Sequence, residues 1–111
     1  MSVTIFNSPY VTLFFAVFFE VMATMLLPVS KNFTKPLPTA LLLVGYAMAF
    51  YCLALVSQRL PLGIIYATWS GLGVFFVSLL SYIFFQQVLN ITIMFGMVFI
   101  VIGVSLVNLS L

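Results

Sequence analysis

Apolar residues run almost without a break along this chain, and polar residues gather at only three places: 30–38 (SKNFTKPLP), 57–61 (SQRLP) and 86–90 (QQVLN). The four stretches between them, roughly 9–28, 37–57, 62–85 and 91–109, each approach the ~20 apolar residues a helix needs to cross a bilayer. The pattern predicts an all-α membrane protein, one domain over 1–111 with four transmembrane helices and short loops. Prolines punctuate it. Pro9, Pro36, Pro38 and Pro61 fall at or just before helix starts, where a missing N–H costs nothing. Pro28 sits near the end of the first helix and should terminate or kink it. Short connections make consecutive helices antiparallel neighbours.

Composition sharpens this picture. Of 111 residues 66% are hydrophobic, more than a soluble fold of this size can bury, so the solvent is lipid. A net charge of +2 is too small and dispersed for nucleic acid. Histidine is absent and Cys52 stands alone, leaving no disulfide framework, no metal-ligand set and no constellation that points to an enzyme or a cofactor. The first apolar stretch lacks a preceding basic residue and a small-residue cleavage site, and is expected to be a retained span. Lys31 and Lys35 fall on one side of a four-span chain and Arg59 on the other. That imbalance nominates the first loop as cytoplasmic, yet it is too small to fix one orientation.

The chain's one carboxylate side chain, Glu20, lies inside the first apolar stretch. An ionisable group at bilayer depth costs at least a few kcal/mol and marks a functional site by default. Hydrogen-bond glue between helices is the plainer alternative, but a Gln would serve that with less desolvation. Helical spacing puts Ala16, Val17, Ala23 and Thr24 on the face of Glu20. Their small size leaves room for a ligand, and would equally let two helices approach closely. In the third stretch Tyr66 and Trp69 share a face, an aromatic surface suited either to an organic cation or to packing. Gly71 and Gly73 beside them weaken the helix and permit a bend. Tyr46 is a further polar ring in the second stretch. In the fourth, Gly96 and Gly103 share a face with Ile100, an association surface between helices.

These residues resemble the small multidrug resistance (SMR) family of bacterial membrane transporters. The likeness covers nearly the whole chain and rests on FEVMAT (19–24), YATWSGLG (66–73), LPLG (60–63) and the Gly96/Gly103 pair. It implies a proton-coupled antiporter of the inner membrane, an antiparallel dimer with dual topology that exchanges protons for lipophilic or quaternary ammonium cations. Glu20 would then bind proton and cation in turn. Trp69, Tyr66, Tyr46, Ala16, Val17, Ala23 and Thr24 would line the site. Against the family pattern, Pro28 replaces a Lys, Asn32 a Gly, Val88 a basic residue and Asn90 an acid. Ala23 and the absence of Ser from 41–56 fit the quaternary ammonium branch better than the guanidinium-exporting one.

Two other functions fit the same pattern. One is a subunit of a paired, paralogous heterodimer exporting polyamines or another cationic metabolite. The other is a non-transporting membrane assembly subunit. A homodimer or heterodimer, protons, organic cations and the lipid bilayer are thus the expected partners.

Overall fold

The computed structural model describes residues 8–109 as four helices: α1 (Pro9–Met25), α2 (Pro36–Val56), α3 (Leu62–Phe85) and α4 (Ile91–Leu109). The last three are long and apolar enough to cross a membrane. They lie within a residue of the predicted 37–57, 62–85 and 91–109. The first does not run to residue 28. With 17 residues, α1 is about 26 Å long, short of the ~30 Å hydrocarbon core. Pro28 has no N–H to return to the carbonyl of Thr24, and the chain tightens ahead of it. The Leu26 amide donates to the Ala23 carbonyl at 3.0 Å and the Leu27 amide to that of Thr24 at 3.1 Å, both three residues back.

Local chemistry sets the other boundaries. The Ser8 hydroxyl accepts from the Tyr10 amide at 3.2 Å, and Pro9 follows it in the first turn. Pro36 and Pro61 stand at the starts of α2 and α3. The Asn90 side chain accepts from the Ile93 amide at 2.9 Å, capping α4. Between α1 and α2, Lys31, Asn32 and Phe33 are left-handed in succession, with φ of 49°, 63° and 66°. Ser30, only 1% exposed, organises this turn. Its hydroxyl donates to the Leu27 carbonyl at 2.8 Å and accepts from the Phe33 amide at 3.2 Å. Asn32 occupies a conformation that Asn tolerates better than most residues.

Helix α1 packs on α2 and α3, while α4 packs on α3. Between α1 and α2 a Cβ on Gly45 would lie 3.0 Å from that of Ala23, so the two helices pack closely there. Leu13, Val56 and Ile65 form a buried cluster at the end where α1 and α3 begin, with Leu53, Leu60 and Trp69 packed around it. Phe14, Phe18, Phe84, Phe95 and Phe99 face outward. On α4 only Met97 is buried among the described residues. Such a surface suits lipid or another apolar helix, not water.

Candidate functional site

Glu20 lies two-thirds of the way along α1, half-buried, on the side that meets α2 and α3. Two helical hydroxyls turn back on their own backbone: Ser70 donates to the Tyr66 carbonyl at 2.6 Å and Ser105 to that of Val101 at 2.9 Å. Thr24 does not. Its hydroxyl donates to the Glu20 Oε2 at 2.5 Å, and its oxygen lies 2.8 Å from the Tyr46 hydroxyl on α2. Thr24 has one hydrogen, already directed at the carboxylate, so Tyr46 is the donor in the second bond. The three groups form a chain of donors ending on Glu20. Because hydroxyls rotate, a protonated Glu20 can reverse it and donate to Thr24.

Helix α3 supplies the opposite wall. Gly73 is buried against the acid, and a Cβ there would run into the Glu20 Oε1. Glu20, Thr24, Trp69, Ser70, Gly73, Val74, Val77 and Ser78 line a cavity of about 320 Å³. The Trp69 ring packs at 5.9 Å from that of Tyr66 and at 5.7 Å from that of Phe50. Its indole N–H is buried and meets no acceptor among the described residues. The chain's three basic residues, Lys31, Lys35 and Arg59, all lie in the connections, so the helices give Glu20 no cation of their own. A carboxylate with one threonine donor, set in apolar and aromatic walls, has capacity left for an outside cation or a proton.

The predicted residues are divided by the structure. Glu20, Thr24 and Trp69 share the cavity, Gly73 lines it, and Tyr46 reaches it through Thr24. Tyr66 is 63% exposed and touches the site through Trp69. Ala16, Val17 and Ala23 are buried in helix packing, outside the residues that line this cavity. A Cβ on Gly71 would collide with Val104, and Ile100 lies beside it, so both belong to the α3–α4 contact. Gly96 and Gly103 have open space around them. Ser70, Val74, Val77 and Ser78 escaped the sequence reading. Their signal was their spacing from one another, three or four residues from Ser70 to Gly73 and Val74 and again from Val74 to Val77 and Ser78, along one face of α3.

The chain matches the Small Multidrug Resistance protein family over residues 8–100. It is 42% identical to the quaternary ammonium compound-resistance protein QacF of Klebsiella aerogenes over 94 residues, 85% of this chain and 86% of that one. It is 39% identical to the multidrug transporter EmrE of Escherichia coli over 102 residues, covering 92% and 93% of the two chains. Against the multidrug resistance protein EbrA of Bacillus licheniformis, identity is 38% over 101 residues, 91% and 96% of the two. A lone carboxylate held among apolar helices thus comes together with full-length likeness to multidrug transporters, and the chain belongs to the Small Multidrug Resistance protein family, as a multi-pass protein of the inner membrane.

Proposed function

We propose that this protein is a secondary active transporter that exchanges protons for lipophilic or quaternary ammonium cations by alternating access, without enzymatic activity. The observation that carries the reading is the setting of Glu20: one carboxylate facing a 320 Å³ apolar cavity, with every basic residue of the chain in the connections. A cation entering the cavity balances the charge that a proton otherwise removes. The two ligands compete for one group, so cation binding releases a proton whenever the site starts protonated, and affinity rises with pH across that titration. Trp69 and Tyr66 offer ring faces to the cation, a contact worth about 2 kcal/mol where desolvated. Tyr46 and Thr24 orient the carboxylate, while Ala16, Val17 and Ala23 let the helices close around it.

Four helices with so little buried surface need a second copy to enclose a path. In this reading two copies pair antiparallel through the open Gly96/Gly103 face of α4, with Ile100 at its edge. Gly71 and Gly73 let α3 bend as the site changes sides. The partner is an identical chain or a paralogue, and liposomes containing only this chain distinguish the two.

The test is proton release on tetraphenylphosphonium binding in weakly buffered detergent. Release that declines as the starting pH rises supports exchange. Saturable binding with no release at any pH tolerated by the folded protein overturns it.

A further inference from the structure

A second polar network occupies the end of the bundle where α1 and α3 begin and α4 finishes. Asn108, in the last turn of α4, donates from its amide nitrogen to the Thr68 Oγ1 at 2.8 Å and to the Val104 carbonyl at 2.9 Å. Its amide oxygen accepts from the Tyr10 hydroxyl, in the first turn of α1, at 2.9 Å. Both amide hydrogens and one oxygen lone pair are therefore used. Thr68 is 5% exposed and immediately precedes Trp69, a wall of the Glu20 cavity.

The placement of this network matters more than its size. Helix α1 packs on α2 and α3, and α4 on α3, so the Tyr10–Asn108 bond joins α1 to α4, two helices with little other packing between them. Alongside lies the Leu13–Val56–Ile65 cluster, against which Trp69 packs. On α3 the cavity wall runs from Trp69 to Ser78, about 14 Å along the helix and away from the network.

We propose that Asn108 is a positioning residue: it clasps α1 to the turn of α3 that carries Trp69, and the cavity opens toward this end of the bundle only when the Tyr10–Asn108 bond breaks. The opening and closing assumed here rest on the alternating-access reading above. The bond that yields is the one to Tyr10, a residue 42% exposed, whereas Thr68 is buried. Asn108 then stays with α3 and α4, which move as a pair against α1.

Trp69 is the chain's single tryptophan and reports directly on this opening. The test compares acrylamide quenching of its fluorescence in the intact chain, in nanodiscs, with that of Tyr10→Phe and Asn108→Leu. Ser105→Ala, whose hydroxyl only bonds its own helix, is the control. Losing one such bond shifts a closed-to-open balance by roughly 2- to 10-fold. Quenching should rise in both network variants and not in the control. Proton leak through cation-free liposomes should rise with it, while equilibrium affinity for tetraphenylphosphonium is preserved. A well-folded Tyr10→Phe protein with unaltered quenching overturns the clasp, and it decides alone if Asn108→Leu fails to fold. Should the unmodified chain exchange no protons, the transport reading fails, and quenching still settles whether the network shields Trp69.

Discussion

Glu20 and Gly73 constrain each other. A Cβ at position 73 cannot coexist with the observed position of the Glu20 Oε1, so Gly73→Ala must displace either the carboxylate or the helix. Overpacking of this kind costs about 1–3 kcal/mol. The expected outcome is a lower melting temperature in detergent together with weaker tetraphenylphosphonium binding, checked by thermal shift and fluorescence titration. Glu20→Gln keeps an acceptor for the Thr24 hydroxyl, so it should fold yet release no proton on adding cation. Thr24→Val strips that donor from the carboxylate and also leaves the Tyr46 hydroxyl without its acceptor, a loss of about 1–3 kcal/mol. Tyr46→Phe should cost less, because Thr24 keeps its bond to Glu20. Comparing the two melting temperatures tests that order.

At the scale of elements, the loop between α1 and α2 stores strain that one substitution can relieve. Asn32 holds φ at 63°, where glycine has no Cβ penalty, so Asn32→Gly should stabilise the protein by up to about 1 kcal/mol, read as a raised melting temperature. An unchanged value would mean that the Asn32 side chain compensates through contacts of its own. The boundaries of α2, α3 and α4 were legible in the sequence because polar breaks fall between them, joined by prolines at the starts of α2 and α3. The end of α1 was harder to place: apolar residues continue past Met25, and hydropathy does not register that Pro28 lacks the amide for an α-helical bond to Thr24, whose carbonyl takes the Leu27 amide instead. In the site, Glu20 was conspicuous as the only carboxylate, and the four-residue step to Thr24 put their contact within reach. The burial of Ala16 and Ala23 was not legible, since helical spacing says which residues share a face but not which neighbour covers it. Asn108, Thr68 and Tyr10 are remote in sequence and meet only through the fold, so no local pattern announces them.

Much of the described chain is surface. Among the described residues most phenylalanines are exposed, and α4 packs mainly on α3, with the Tyr10–Asn108 bond reaching α1 besides. If α4 is the pairing surface, Gly103→Leu should lower the yield of cross-linked dimer both in membranes and in detergent, while the α3–α4 contact at Gly71 stays intact. An unchanged yield would remove the glycine face from assembly. The bare exterior of α4 has a consequence for the life of the protein in a cell. A copy that finds no partner presents an unsatisfied helix to the proteases that survey the membrane, so surplus copies should be cleared and abundance should be set by pairing instead of synthesis. Pulse-chase labelling should then show a shorter half-life for Gly103→Leu than for the natural chain, and a longer one as its expression rises.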